Sequence, residues 1–196
     1  MTQEIFKRYE KKYMLTQKKH DALIPVLERQ MNADHYGEHT LSNIYFDTRD
    51  YELVRQSIEK PEYKEKLRLR AYGKVTDNSV VYAELKKKFD GVVYKRRIPM
   101  TLCQARKYLY YGIRWAEESQ ILKEIDYVLN RYELKPAAYV AYERVAYYGK
   151  DNEELRITFD RNICCRCSGL ELKNGVYGTM LLDKNQILME VKIPGA

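Results

Sequence analysis

Between Glu65 and Tyr72 the chain reads Glu-Lys-Leu-Arg-Leu-Arg-Ala-Tyr, a run in which long cations alternate with apolar residues. Successive side chains of a strand point to opposite faces, so Lys66, Arg68 and Arg70 form one row and Leu67, Leu69 and Ala71 the other. Same-face neighbours stand only about 7 Å apart along a strand. Three cations in line repel one another unless water or a bound anion compensates. Taken singly, the run is also what an antiparallel strand with one solvated polar side would show.

The pattern recurs along the chain. Arg8, Glu10 and Lys12 share one parity of Arg8–Tyr13, Glu84, Lys86 and Lys88 one parity of Val81–Lys88, and Lys95 and Arg97 one parity of Val93–Ile98. Arg144 stands in Tyr142-Glu143-Arg144-Val145, Arg156 and Asp160 in Leu155–Asp160, and Glu190 and Lys192 in Leu188–Ile193. One sheet with a charged face and an apolar face accommodates all of these segments. Covering the apolar face with helices turns the charged face inward, so the expected fold is α+β: a closed antiparallel eight-stranded β-barrel with a charged lumen and helices outside. Unpaired cations in such a lumen lose several kcal/mol of hydration each, so it must stay wet, pair with carboxylates or bind polyanions.

The elements that would position these rows can be read from periodicity. Strands are expected at 5–16, 40–47, 65–73, 79–89, 92–99, 137–148, 154–161 and 186–193, with a short one near 164–171. Asp90-Gly91 is a hairpin signal that would set Glu84 and Lys86 beside Lys95 and Arg97. Helical spacing follows Thr16, from Gln17 to Met31, with Pro25 able to begin or kink that helix. Thr101 reads as an N-cap for Leu102 to Tyr110, and Trp115 to Leu129 carries a stripe of Ile121, Leu122, Ile125 and Leu129.

Composition bounds the function. The 196 residues carry a net charge of +7 and are 45% hydrophobic, which suits one domain with a substantial apolar layer. The basic balance favours an anionic partner without choosing among nucleic acid, lipid headgroups and phosphorylated small molecules. No apolar run approaches the roughly 18 residues of a membrane span, and Met1-Thr2-Gln3-Glu4 opens no signal peptide, so the expected location is the cytoplasm. Cys103, Cys164, Cys165 and Cys167 lack zinc-type spacing and read as reduced thiols, while His35 and His39 flank Gly37 in an expected loop.

The ordered set of motifs resembles a known family. Arg8–Tyr13, Ile44–Thr48, Ser57–Pro61, Lys66–Arg70, Glu84–Lys88, Gly91–Arg97, Ala141–Arg144, Leu155–Asp160 and Leu188–Ala196 together resemble the catalytic domain of the vacuolar transporter chaperone (VTC) polyphosphate polymerases, in the triphosphate tunnel metalloenzyme (CYTH-like) superfamily. The resemblance covers the whole chain, 1–196, as one domain. It implies transfer of the ATP γ-phosphoryl group to a growing polyphosphate chain with release of ADP. It implies catalytic cations at Lys12, Arg68, Arg70, Lys86, Arg144 and Arg156, and phosphate contacts from Arg8, Arg55, Lys95, Arg97, Tyr142 and Lys192. Glu190 is the implied carboxylate for Mn²⁺ or Mg²⁺, with Glu10 and Glu84 as further metal or ion-pair candidates. Expected partners are ATP and inorganic polyphosphate, with no specific nucleic acid.

Two points qualify the family pattern. The family continues after the Ile193–Ala196 equivalent into a helix and a Ser-Lys segment that this sequence does not contain; the fold and cation lining are expected to stand without them, and turnover is the quantity at stake. Tunnel triphosphatases use the same lumen to pass phosphate to water, and a non-catalytic polyanion-binding module would need the cations alone. The paired-glutamate first strand that favours hydrolysis is replaced here by Arg8, Glu10 and Lys12, which favours the polymerase.

Overall fold

The computed structural model describes residues 5–6, 8–59, 61–90, 92–114 and 119–194. Its strands are β1 (Ile5–Phe6), β2 (Arg8–Thr16), β3 (Met31–Ala33), β4 (His39–Asp47), β5 (Tyr63–Tyr72), β6 (Val80–Phe89), β7 (Val92–Thr101), β8 (Lys135–Gly149), β9 (Arg156–Arg166), β10 (Thr179–Met180) and β11 (Gln186–Pro194). The helices are α1 (Gln17–Gln30), α2 (Glu52–Glu59), α3 (Leu102–Leu109) and α4 (Gln120–Tyr132). The strands form one antiparallel sheet in the order β1-β7-β6-β5-β4-β8-β9-β11-β2, with β3 on β8 and β10 on β9.

The closed eight-stranded barrel is therefore corrected. The sheet has more strands and is open: β1 and β2 are its two ends, and no ladder joins β2 to β7 among the described residues. Only one residue separates β1 from β2, so the chain itself ties the two edges, with Ile5 and Phe6 on β7 and Arg8 to Thr16 on β11. An ion pair of 3.8 Å between Lys86 on β6 and Glu10 on β2 shows how far the sheet curls. The charged face is concave, and the helices cover the convex one.

Local chemistry sets the helix ends. Thr101 and Gln104 form a capping box at α3, and Thr16 and Ser119 cap α1 and α4. Pro25 lies inside α1, and Trp115 to Glu118 lie outside the described residues. The buried Asp47 carboxylate accepts from the backbone N–H groups of Thr48, Leu53 and Val54 and so starts α2, the least legible helix. At the β6–β7 hairpin Asp90 takes a positive φ of 43°; Gly91 lies outside the described residues.

Two apolar cores result. Ile44, Leu67, Leu69 and Leu85 pack with Leu53, Leu102 and Ile125 of the helices, and Leu27 and Met31 close over Tyr147, Phe159 and Ile187. A bulge in β9, where the register shifts between Ala141 and Glu143 and Asn162 takes φ 50°, reverses the alternation. Beyond it Arg166 lies on the convex face, its guanidinium 3.4 Å from the Tyr139 ring centroid and 4.0 Å from that of Tyr177. It donates to the carbonyls of Gly169, Glu171, Gly175 and Tyr177, which ties the 169–177 loop down.

Candidate active site

Register brings the alternating cations into rows across strands. Tyr45, Arg68, Glu84 and Arg97 are directly opposite one another on β4 to β7, and Asn43, Arg70 and Tyr82 form the adjacent row. Arg68 donates from Nε and Nη2 to one oxygen of Glu84 at 2.7 and 2.6 Å, and from Nη1 to the Tyr45 hydroxyl at 3.2 Å. Lys95 meets the other Glu84 oxygen at 2.9 Å. Glu84 is only 1% exposed. Burial alone would raise its carboxyl, but Arg68, Arg70 and Lys95 outweigh that and hold it at about 2. Burial would likewise raise the Tyr45 phenol, and the Arg68 charge reverses the shift.

Arg70 stands 3.9 Å from the Glu84 oxygen that Arg68 holds, and its hydrogen bonds go to neutral partners. Its Nε donates to Asn43 Oδ1 at 2.8 Å and its Nη2 to the Tyr142 hydroxyl on β8 at 3.0 Å. Beside Tyr142, Arg144 forms a two-point pair with Asp160, Nε to Oδ1 at 2.6 Å and Nη2 to Oδ2 at 2.7 Å. Such bidentate geometry holds the guanidinium plane still. These groups make an arginine floor whose charges are already oriented.

The opposite wall comes from β9, β11 and β2. Thr158, Glu190 and Lys12 share one row, and Arg156, Lys192 and Glu10 the next. Glu190 meets Lys192 at 2.6 Å and Lys12 at 3.5 Å, and Lys12 also reaches Glu10 at 3.5 Å. Burial would raise the Glu190 carboxyl, yet Lys192, Lys12 and Arg144 bring it to about 2. The two acids more than offset burial at Lys12 and raise its ammonium.

Most of the expected residues gather here. Lys12, Arg68, Arg70, Lys86, Lys95, Arg144, Lys192, Tyr142, Glu10, Glu84 and Glu190 are linked by the contacts above. Arg97 lies at an exposed margin over the Tyr82 ring at 4.4 Å, and Arg156 is also exposed. Arg55 is different: it sits exposed on α2, and no contact joins its side chain to the cluster among the described residues. The side chain of Arg8 lies outside the described residues. Asn43, Tyr45 and Thr158 also line the site, and being uncharged they leave no trace in a pattern of alternating charge. Lys66 shares the face and register of the site, opposite Lys86.

The wall suits a divalent ion shared with phosphate. Glu190 and Glu10 converge on Lys12, and the Thr158 hydroxyl, across the ladder from Glu190, is buried without a partner. No cluster of three acidic, histidine or cysteine side chains forms among the described residues. Magnesium bound with substrate phosphates needs only one or two carboxylates, so this sparse donor set fits that role. The four cysteines are free thiols, and burial raises that of Cys164.

The fold has solved counterparts. A candidate adenylate cyclase from Bacillus halodurans superposes with TM-score 0.58 at 15% identity, over 98% of this chain and 82% of that one. A candidate adenylate cyclase from Vibrio parahaemolyticus gives 0.52 at 15%, covering 98% and 78%. A candidate adenylyl cyclase from Hippeastrum, described as having a dominant triphosphatase activity, gives 0.54 at 16%, covering 97% and 80%. No curated protein sequence matches. The VTC domain family matches residues 7–196. The curled sheet, its charged concave face and the match over nearly the full sequence lead to one conclusion: the chain belongs to the VTC domain family.

Proposed function

We propose that this protein is a metal-dependent polyphosphate polymerase that transfers the γ-phosphoryl group of ATP to the end of a polyphosphate chain. The observation that carries the reading is the arginine floor, where guanidinium groups are held in fixed planes by buried carboxylates and hydroxyls before any phosphate arrives. In phosphoryl transfer the protein works by alignment and by charge around the equatorial oxygens, and no protein nucleophile is required. The terminal oxygen of the acceptor chain forms the new P–O bond as the bond to the ADP oxygen breaks.

Each residue then has a role. Arg68, Arg70 and Arg144 hold the transferring group from the floor, and Tyr142 adds a hydroxyl. Arg144 gives Asp160 its Nε and Nη2 and keeps Nη1 for a further acceptor. Lys12, Lys86, Lys95, Lys192, Arg97 and Arg156 neutralise the flanking phosphates. Glu190, with Glu10 and the Thr158 hydroxyl, would hold Mn²⁺ or Mg²⁺, which supplies charge neutralisation on phosphate oxygens when bound. Glu84 serves as counter-ion to Arg68, Arg70 and Lys95 in this reading. Among the described residues no helix is long and apolar enough to cross a membrane.

Incubation with ATP and Mn²⁺ beside an Arg68→Ala/Arg70→Ala control tests the reading, with ADP, free phosphate and polymer measured separately. Polymer and ADP with little free phosphate are expected, and neither should form in the control. Free phosphate without polymer would reassign the site to triphosphate hydrolysis.

A further inference from the structure

The concave face of β4 to β7 differs between its two ends. One row beyond Glu84 it is cationic, a lysine row in which Lys66, Lys86 and Lys95 stand opposite one another. Past Arg70, in the other direction, it is aromatic. Tyr82 faces Arg70 across the β5–β6 ladder, and Tyr72 follows Arg70 on the same face of β5. His39 stands on β4 just before Leu41, the partner of Tyr72. The rings touch in sequence: Tyr82 to Tyr72 at 5.9 Å between centroids, Tyr72 to His39 at 6.0 Å, His39 to Tyr36 at 6.0 Å and Tyr36 to His35 at 3.8 Å. The other ring contacts among the described residues, Phe46–Tyr110, His20–Phe159 and Tyr147–Phe159, involve the two apolar cores. This ladder is not core packing: Tyr72 is 43% exposed and Tyr36 67%. Edge-on contacts, such as the 85° between Tyr72 and Tyr82, leave ring faces uncovered. The His39 ring is pinned, its Nδ1 donating to the Gly37 carbonyl at 2.9 Å. Arg97 lies over Tyr82 at 4.4 Å, so a cation stands where the rings give way to the arginine floor. Apolar ring faces held in water are a cost that a flat π ligand would remove.

We propose that this aromatic ladder is a nucleobase subsite, with the base of a nucleoside triphosphate stacked on Tyr72 and His39 while its phosphates run toward Arg70 and Arg68. The inference rests on the reading of the site as one that takes ATP. It deepens that reading by fixing which end of the concave face holds the nucleoside. Tyr72 lies about 7 Å beyond Arg70 along the strand, a gap that a ribose and its first phosphate bridge. Every base has a π face, so stacking grips a nucleoside without reading its identity. Inorganic polyphosphate has no such group, so the ladder tells the donor nucleotide from the polymer.

Calorimetric affinities for the β,γ-imido analogue of ATP and for tripolyphosphate test this in the wild type, Tyr72→Leu, His39→Leu and Tyr72→Phe. The Leu variants should bind the analogue about tenfold more weakly, about 1.4 kcal/mol, and tripolyphosphate within about twofold of the wild type. Tyr72→Phe keeps the ring and should keep the wild-type ratio. Equal losses for both ligands, or no loss for either, would overturn the base subsite. So would a loss in Tyr72→Phe as large as in Tyr72→Leu, which would assign the effect to the hydroxyl. The polymerase reading fails separately, on free phosphate without polymer from ATP, and the ratio of affinities decides the base subsite either way.

Discussion

The arginine floor and the lysine row lie side by side on β5 and β6 yet solve opposite problems. On the floor, each buried charge has a partner before substrate arrives: Arg68 with Glu84, Arg144 with Asp160, Arg70 with Asn43 and Tyr142. In the row, Lys66 faces Lys86 and Lys86 faces Lys95. The floor is folded around its own anions and so is rigid without ligand, which suits a site that must align a reacting phosphoryl group. In the row Lys95 has Glu84 and Lys86 has Glu10, Lys66 meets no carboxylate among the described residues, and on the proposed reading a bound polyanion would relieve the repulsion that is left. Orientation and affinity are thus divided between two cations of different chemistry.

If that contrast is right, removing an anion should hurt the floor most. Glu84→Gln would leave Arg68, Arg70 and Lys95 converging on a neutral amide in a buried position, a loss of about 3–5 kcal/mol by the usual cost of breaking a buried pair. Its melting temperature should fall sharply and recover more on adding tripolyphosphate than that of the wild type. A Tm unchanged without ligand would mean that Arg68 is not held by Glu84 and would dissolve the contrast.

Acid should act through the same groups, somewhat less strongly. The folded Glu84 carboxyl lies at about 2 against an ordinary value of 4.5. Its folded value is depressed, so its contribution to stability is complete above about 4.5 and is lost as pH falls through about 2. At about 1.4 kcal/mol per unit the amount is on the order of 3 kcal/mol. Glu190, also at about 2, adds to the same window. Denaturant unfolding of wild type and Glu84→Gln between pH 5 and pH 2 checks this, because the two curves should converge toward the acid end. Parallel curves would assign the acid sensitivity elsewhere.

Where sequence sufficed and where it fell short follows from what alternation encodes. Period-2 patterning placed Lys66, Arg68 and Arg70 opposite Leu67 and Leu69, because burial of one face leaves no other register for the side chains. It does not encode which strands meet. The partnership of Arg68 with Glu84, and of Arg144 with Asp160, is a matter of cross-strand register, which no single strand carries. Closure fell short for the same reason: β1 contributes two residues to β7 before the chain crosses to β11, and the hydrogen-bonded path stays open. The Asn162 bulge is a further limit, since one extra residue turns Arg166 away from the face that Arg156 and Asp160 share. Arg55 fell outside the cluster because it lies on α2, exposed, and a position in the chain does not encode which way a helix turns its side chain.

The smallest expected effect is the most diagnostic, because its sign is unusual. A lysine whose folded value is depressed is penalised while charged, and at neutral pH Lys66 is charged in both the folded and the unfolded chain. Folding therefore costs something at Lys66 that is relieved only as pH rises through its lowered value toward 10.5. Lys66→Met removes the penalty and keeps the aliphatic stem, so the ligand-free protein should melt about 1–3 °C higher. In saturating long polyphosphate the order should reverse, with the wild type the more stable, since binding to the folded state adds stability by mass action. An ordinary structural lysine paired with a carboxylate would show the opposite sign without ligand. A lower ligand-free Tm for Lys66→Met would therefore place Lys66 among the stabilising pairs of the floor and erase the boundary between the two regions.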